Sequence, residues 1–216
     1  REVTARLIAN VEAAGCRALV VTVDASYDAR RERHLRRPLV LPPELRFGNL
    51  LEAGLPGTFE RNVASSMLAL TWADLAWLRS TTRMPILLKG IMTGEDAALA
   101  VEHGVDGIVV SNHGGRQIDG TLASVDALPE VVAQVGGRAE VLVDGGIRRG
   151  TDVLKALALG AKAVLIARPY LWGLALGGEA GVQQVLGMLH TEIDCAMAQL
   201  GLPAIARVDR SLVAAP

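Results

Sequence analysis

The chain of 216 residues has few aromatic side chains and few cysteines. Aromatic residues make up 3% of the sequence, so we expect a hydrophobic core built mainly from Ala, Leu, Val and Ile. Cys16 and Cys195 are too few for a disulfide framework, and their spacing is not that of a CxxC motif. We therefore expect a reducing, cytoplasmic environment, and we predict no metal site.

The chain also lacks an excess of charge and a long apolar run. A net charge of −1 excludes both a broad basic surface for nucleic acid and an acidic tail. Uncharged stretches reach only about a dozen residues, whereas a membrane-spanning helix needs ~20 apolar ones. We expect no secretory signal, because the first residues do not have that pattern. Hydrophobic residues make up 50% of the chain, which excludes intrinsic disorder and is enough for one globular domain.

Five continuously apolar runs indicate strands that are buried on both faces, as in parallel sheets covered by helices. These runs are ALVVTVD (18–24), PILLKG (85–90), GIVVSN (107–112), EVLVDGG (140–146) and AVLIAR (163–168). Helical patterns lie at about 71–81, 94–103, 125–135, 150–159 and 180–200. The alternation of the two patterns predicts successive βα units.

Local signals refine this pattern. Thr71 with Asp74, Thr93 and Ser124 are predicted to cap three of the helices. The interval 28–62 is rich in arginine, proline and glycine, which predicts a long loop that serves either as a lid or as a solvated linker.

The strand ends favour a barrel over an open sheet. No GxGxxG motif follows the first strand, so the dinucleotide-binding fingerprint is missing. Polar residues follow every strand, and a barrel brings all strand ends to one site, whereas an open sheet uses only those beside its switch point. We therefore predict a (β/α)8 barrel, of which this chain supplies the last five strands as the C-terminal portion of a single domain. The missing strands are expected upstream.

The segment SNHGGRQ (111–117) carries the strongest chemical signal. At a strand end, His113 is suited to act as a general base, and the planar guanidinium of Arg116 is suited to bind a carboxylate. Asp24, at the end of the first strand, is suited to orient His113. The alternatives are a turn with a capping histidine and a simple aspartate cap.

A second group of residues points to a phosphate. In DGGIRRG (144–150), two glycines allow a close backbone approach to an anion, and the helix that follows offers its N-terminal N–H groups. Arg148 and Arg168 add positive charge, and Lys89 offers a fixed cation for a developing anion. The alternatives are a tight turn for the glycines and a lysine that extends into solvent. The set predicts a phosphorylated cofactor beside a small carboxylic acid.

The sequence resembles the FMN-dependent (S)-2-hydroxy-acid oxidases and dehydrogenases, a family that includes glycolate oxidase, lactate oxidase and mandelate dehydrogenase. The resemblance covers essentially the whole chain. It rests on ALVVTVD, RRE (30–32), LLKGI (87–91), GIVVSNHGGRQIDG (107–120) and VLVDGGIRRGTDVLKALALGAKAVLIARP (141–169). The Ala- and Arg-rich composition and ASYDARRERHLRRP (25–38) look most like actinobacterial mandelate or 4-hydroxymandelate oxidases.

The resemblance implies FMN as the cofactor, oxidation of a 2-hydroxy acid to the 2-oxo acid, and a homotetramer. It implies His113 as the base with Asp24 as its partner, and Arg116 and Arg31 as ligands of the substrate carboxylate. Lys89 is implied at the N1–C2 carbonyl edge of the flavin. The other implied FMN contacts are Thr22, Ser111, Asp144, Gly145, Gly146, Arg148, Ala167 and Arg168.

The sequence departs from the family pattern in three places. Ala167 stands where the family usually has glycine, and ASYDA (25–29) replaces a turn that contains proline and glycine. Three upstream strands with two active-site tyrosines are absent, and neither Tyr27 nor Tyr170 stands at those positions.

The electron acceptor and the exact activity stay open. O2, with H2O2 as the product, is expected because the long loop lacks a hydrophobic membrane-binding run and no haem domain is visible. The alternatives are lactate or glycolate as the substrate, an acceptor other than oxygen, and another phosphate-anchored barrel such as an FMN-dependent isomerase or a nucleotide dehydrogenase. A further alternative is a non-catalytic fragment that binds flavin or phosphate.

Overall fold

The computed structural model describes residues 1–27, 29, 31–38, 42, 44–45, 48–52 and 70–214. The elements before the second strand are α1 (Glu2–Ala13), β1 (Leu19–Thr22), α2 (Glu32–Arg36), α3 (Gly48–Glu52) and α4 (Trp72–Thr81). The predicted loop at 28–62 thus contains two short helices, and much of the rest of it lies outside the described residues.

The remaining chain alternates strands and helices, as predicted. Its elements are β2 (Ile86–Ile91), α5 (Gly94–Glu102), β3 (Gly107–Val110), α6 (Ser124–Val135), β4 (Glu140–Asp144), α7 (Gly150–Ala158), β5 (Ala163–Leu165) and α8 (Arg168–Gln199). Two 3₁₀ turns, Ile205–Arg207 and Arg210–Leu212, follow. No helix among the described residues is long and apolar enough to cross a membrane.

The last long helix differs most from its prediction. It begins at Arg168 instead of near residue 180, and it is broken into two arms where Gly177 and Gly178 leave helical geometry. Pro169 lies in its first turn, where the missing N–H of proline is harmless. The glycines near the break interrupt the apolar periodicity, which is why the sequence indicated only the second arm.

The two faces of the sheet are covered differently. Alternate residues of the strands on one face pack with α1, α4, α5, α6 and α7 into the hydrophobic core. The opposite face carries Val20, which is 46% exposed, and the half-buried Leu87 and Leu142. Burial on both faces is therefore confirmed for β3 and wrong for β1, whose second face is exposed at Val20 and Thr22.

This arrangement is an arc of a (β/α)8 barrel. The five strands are parallel and lie in chain order, β1-β2-β3-β4-β5. A doubly wound sheet has helices on both faces and a reversal of strand order, and neither is found in the described chain. In a barrel, helices lie outside and alternate side chains fill the interior, so the open face of the sheet is the interior face.

Two of the three predicted caps are confirmed. Thr71 and Asp74 form a capping box at the start of α4, and the Thr93 hydroxyl accepts a hydrogen bond from the Asp96 N–H. The prediction for Ser124 is wrong, because Ala123 is the N-cap of α6. Ser124 is buried, and its hydroxyl accepts the backbone N–H of Asn112 at 3.2 Å instead.

The capping box makes part of the stability dependent on pH. Hydrogen bonds from the Thr71 backbone, Arg1 and the Thr71 hydroxyl lower the pKa of Asp74 from 3.8 to about 2. Because the pKa is lower in the folded protein, this contribution is complete above about pH 4 and is lost as the pH falls towards 2. We expect Asp74→Asn to lower the free energy of unfolding at neutral pH, measured by urea titration. The difference in this free energy between the variant and the unchanged protein should shrink as the pH falls from about 4 towards 2. A constant difference down to pH 2 would contradict this assignment.

A candidate active site at the carboxyl ends of the strands

The barrel arc brings the predicted base and its partner together. Asp24 follows β1 and His113 follows β3, yet Nδ1 of His113 lies 2.9 Å from Oδ1 of Asp24. Carboxyl ends of parallel strands meet at one edge of a sheet, which explains how residues 89 positions apart come into contact. The Asp24 side chain is 13% exposed and that of His113 is 33% exposed, so the imidazole remains accessible from the strand-end side.

The backbone around His113 holds an unusual conformation. His113 has a φ of 56°, in the left-handed region, and the two glycines that follow it also have positive φ. Two hydrogen bonds within the segment stabilise this turn. The His113 N–H donates to Ser111 Oγ at 3.1 Å, and Oδ1 of Asn112 accepts the Gly115 N–H at 3.1 Å. A non-glycine residue held there by its neighbours is typical of functional sites.

A glycine in β2 makes room for Asp24. The register between β2 and β3 shifts between Lys89 and Ile91, and Gly90 has a φ of 113°. A Cβ on this glycine would lie 2.7–2.9 Å from the Cβ, Cγ and backbone nitrogen of Asp24. The bulge therefore sets the position of the carboxylate that contacts His113.

Lys89 lies at the centre of a polar network between the strand ends. Its Nζ donates to Ser111 Oγ at 2.9 Å and lies 3.3 Å from Oδ2 of Asp144. Ser111 is fully buried, and its hydroxyl also accepts the His113 N–H, so the network reaches from Asp144 to the turn that carries the base. Thr22 lies opposite Lys89 in the register, with its side chain exposed on the interior face.

Two carboxylate oxygens in this network lack partners. Oδ2 of Asp24 and Oδ1 of Asp144 are buried and accept no hydrogen bond from any described residue. A buried acceptor without a partner costs free energy, about 1–3 kcal/mol, so such atoms call for a ligand, a water molecule or a further protein group.

The two arginines predicted to bind a carboxylate lie side by side. Arg31 Nε donates to the backbone oxygen of Arg116 at 3.1 Å, and Arg31 Nη2 lies 3.5 Å from Oε1 of Gln117. The exposed guanidinium of Arg116 has no hydrogen bond or ion pair within the described part of the chain, and it faces the same cavity as His113.

That cavity, of about 590 Å³, extends from the base to the predicted phosphate site. Its lining includes Lys89, His113, Gly114, Arg116, Asp144, Gly145, Gly146, Arg148, Ala167 and Arg168. Gly146 has a φ of 76° and open space where a side chain would stand, so its backbone can approach a ligand closely. Arg168 donates to the Gly114 oxygen at 2.9 Å, which links the start of α8 to the turn behind His113.

One part of the predicted phosphate site is arranged differently in the structure. The N-terminal N–H groups of α7 were expected to bind the anion, but carboxylates accept the N–H of its first residue and the two N–H groups just before it. Asp152 Oδ2 accepts the N–H groups of Arg148 and Arg149 at 3.0 and 2.9 Å, and Glu192 Oε2 accepts that of Gly150 at 2.7 Å. These contacts hold the pKa of Glu192 below its ordinary value, the Gly150 hydrogen bond first and Arg149 second.

Several contributors were missed at the level of sequence. Asn112 and Gly90 lie inside the SNHGGRQ and LLKGI segments, but their roles could be recognised only from the hydrogen bonds and the strand register of the structure. Asp152 has the N3 spacing of a capping residue and was therefore detectable. Trp172 and Glu192 have no local signal, because each contacts the DGGIRRG segment from a distant part of the chain.

The chain is similar to known proteins over almost its whole length. The model of a family described as FMN-dependent dehydrogenase matches residues 1–215. L-lactate oxidase of Nostoc sp. is 52% identical over 222 residues, which cover 99% of this chain and 61% of that protein. Human 2-hydroxyacid oxidase 1 is 47% identical over 224 residues, which cover 99% of this chain and 60% of that protein.

Solved structures agree as well. A mandelate oxidase superposes with a TM-score of 0.83 at 43% identity, covering 96% of this chain and 59% of that one. A mandelate oxidase solved with a C4a-OH-FMN adduct gives a TM-score of 0.85 at 43% identity, covering 96% of this chain and 58% of that one. The chain spans about 60% of the length of the curated relatives. The match over nearly all of its residues shows that it belongs to the FMN-dependent dehydrogenase family.

Proposed function

We propose that this chain is the C-terminal portion of an FMN-dependent oxidase that converts an (S)-2-hydroxy acid into the 2-oxo acid. The observation that carries the proposal is the cavity of about 590 Å³ at the strand ends. Its lining combines an imidazole that contacts a carboxylate, an arginine without a partner among the described residues, a lysine, and an anion site of glycines and arginines. A base, a carboxylate ligand and a phosphate anchor are the three parts that such a reaction needs.

The residues present fit FMN. The unpartnered Oδ1 of Asp144 is a buried acceptor suited to a hydroxyl of the ribityl chain. Gly146 leaves room for a phosphate, and Arg148 and Arg168 both line the same cavity. We propose Thr22, Lys89 and Ser111 beside the ring, and Gly145 and Ala167 beside the phosphate. The cavity volume lies within the ~300–1,000 Å³ typical of small-ligand pockets.

His113 is the proposed base. Its Nδ1 is engaged with Asp24, so in the neutral ring with Nδ1 protonated the lone pair is on Nε2. Oxidation of a 2-hydroxy acid removes two electrons and two protons, one from the hydroxyl group and one from Cα. His113 accepts one of these protons, and the Asp24 carboxylate stabilises the imidazolium that forms. His113 accepts the hydroxyl proton if Cα loses a hydride, and the α-proton if Cα becomes a carbanion.

Charged side chains orient the other participants. Arg116 binds the substrate carboxylate with its planar fork, and Arg31 is proposed as the second ligand. Lys89, held between Asp144 and Ser111, would stabilise negative charge on the flavin ring. When bound, FMN would supply the two-electron acceptor, and O2 would take up the two electrons with two protons to give H2O2.

The rest of the barrel is proposed to come from upstream in the same polypeptide. Among the described strands, β1 and β5 pair on one edge only, and the interior face is open at Val20. Three further strands would close the barrel and cover that face. We also propose a homotetramer, on the basis of the family resemblance. The exposed free thiols of Cys16 and Cys195 are consistent with our proposal of a reducing cytoplasmic environment.

The proposed substrate is mandelate or 4-hydroxymandelate. The likeness to solved mandelate oxidases supports it, whereas the likeness to L-lactate oxidase favours a smaller acid. The test supplies the full-length, FMN-loaded protein with (S)-mandelate, (S)-lactate and glycolate in air. We expect a 2-oxo acid and H2O2 in equal amounts, with the highest kcat/KM for mandelate. At most one 2-oxo acid per bound FMN, without H2O2, would indicate a dehydrogenase that needs another electron acceptor, and no 2-oxo acid from any of the three acids would refute the proposal.

A further inference from the structure

The two arms of α8 form a hairpin behind the loop that carries Arg148. The arms, residues 168–176 and 179–199, are joined at Gly177 and Gly178 and cross where Gly173 meets Gly181. A Cβ at Gly173 would lie 2.5 Å from the Gly181 oxygen, so the arms pack backbone against backbone. A second cavity, of about 400 Å³, lies between the hairpin and the loop, and Arg148 lines both this cavity and the one that His113 lines.

The first arm contacts the guanidinium of Arg148. The Cζ atom of Arg148 lies 5.2 Å from the centroid of the Trp172 ring, within the range of a cation–π interaction. Arg148 Nη1 also donates to the backbone oxygen of Ile147 at 2.8 Å. Arg148 is otherwise exposed, so without the ring its long side chain would sample many rotamers, and ordering it would cost free energy when an anion binds.

The second arm contacts the backbone of the same loop. Glu192 accepts the Gly150 N–H and pairs with Arg149 Nη1, both at 2.7 Å. Gly150 has no room for a Cβ, because the backbone of residues 192 and 193 lies directly against it. The loop is therefore contacted by both arms of the hairpin, by the first through Trp172 and by the second through Glu192.

We propose that the α8 hairpin presets Arg148 for the phosphate of FMN, with Trp172 and Glu192 as positioning residues. Neither residue needs to touch the cofactor. Trp172 fixes the direction of the guanidinium, and Glu192 fixes the backbone from which Arg148 projects. The inference rests on the proposed function, because it requires FMN with its phosphate beside Arg148.

The test compares FMN with riboflavin, which has the same ring and ribityl chain without the phosphate. In the full-length apoprotein, dissociation constants are measured by quenching of flavin fluorescence. We expect Trp172→Leu to weaken FMN binding about three- to tenfold and to leave riboflavin binding unchanged. Trp172→Phe keeps an aromatic face and should restore most of the FMN affinity. Glu192→Ala should again weaken FMN binding alone, and Leu174→Ala, an exposed change on the first arm, should alter neither.

The outcomes separate the possible failures. If the unchanged protein binds no FMN, the proposed function is wrong and this inference is wrong with it. If FMN binds but Trp172→Leu and Glu192→Ala leave its affinity unchanged, the inference alone is overturned. Equal losses for FMN and riboflavin would show a general structural defect and would also overturn it. Should Trp172→Leu fail to fold, Glu192→Ala decides the matter by the same comparison of FMN with riboflavin.

Discussion

Replacing His113 by Gln is expected to abolish most of the reduction of FMN by a 2-hydroxy acid while leaving FMN bound. Glutamine retains hydrogen-bonding capacity towards Asp24 but cannot take up a proton at neutral pH. A positioned general base contributes a factor of about 10² to 10⁴, so the rate of reduction in anaerobic stopped flow should fall by that much. The visible spectrum of the bound flavin should persist, because the phosphate site is formed by other residues.

The matched control is His103→Gln. His103 is exposed, stacks on Trp72 with 5.5 Å between ring centroids, and follows α5 at the opposite end of the strands from the site. Its replacement should leave the rate of reduction unchanged. A His113→Gln protein that reduces FMN at a near-normal rate would remove His113 from the role of base, whatever the fate of FMN binding.

Arg116→Met is expected to produce the second large effect, on substrate binding. Arg116 has no side-chain partner among the described residues, so its fork is available to a carboxylate at the mouth of the cavity. Loss of one partner of a desolvated, charge-assisted pair costs about 2–4 kcal/mol, which corresponds to roughly 30- to 700-fold weaker binding. The dissociation constant of the acid from the oxidised enzyme, measured by the perturbation of the flavin spectrum, should rise by that factor.

Two controls test whether the weaker binding is due to the loss of a contact between Arg116 and the substrate carboxylate. The methyl ester of the same substrate has no carboxylate charge, so Arg116→Met should change its binding little. Arg83→Met removes an exposed arginine before the amino end of β2, away from the cavity, and should change neither ligand. Equal weakening of acid and ester, or unchanged binding of the acid, would exclude Arg116 as the carboxylate ligand.

The site residues that lie at the ends of the parallel strands could be predicted from the sequence. Asp24, Lys89, His113 and Asp144 each follow an apolar run directly, and parallel pairing brings such positions to one edge without any knowledge of the side-chain contacts. The barrel arc was predictable for the same reason. The exposure of the second face of β1 could not be predicted, because the apolar sequence of a strand does not show whether residues of the described chain cover both of its faces.

The parts that could not be predicted depend on contacts between distant segments. Glu192 reaches Gly150 across 42 residues and occupies an N–H that the sequence pattern assigned to an anion. Gly90 appeared to be the end of a run, whereas its positive φ makes the bulge that accommodates Asp24. Trp172 lies in a segment whose glycines interrupt the helical pattern of apolar residues. The sequence near Trp172 therefore gave no indication of its contact with Arg148.

The most direct test of the central claim is the anaerobic addition of a 2-hydroxy acid to the FMN-loaded, full-length protein, followed by flavin absorbance. We predict that the flavin bands bleach with (S)-mandelate and stay unchanged with the (R) enantiomer, since the base, the carboxylate ligand and the ring fix the face that is presented. Bound FMN that no (S)-2-hydroxy acid bleaches would contradict the account, because the cavity would then hold the cofactor without oxidising the substrate class proposed for it.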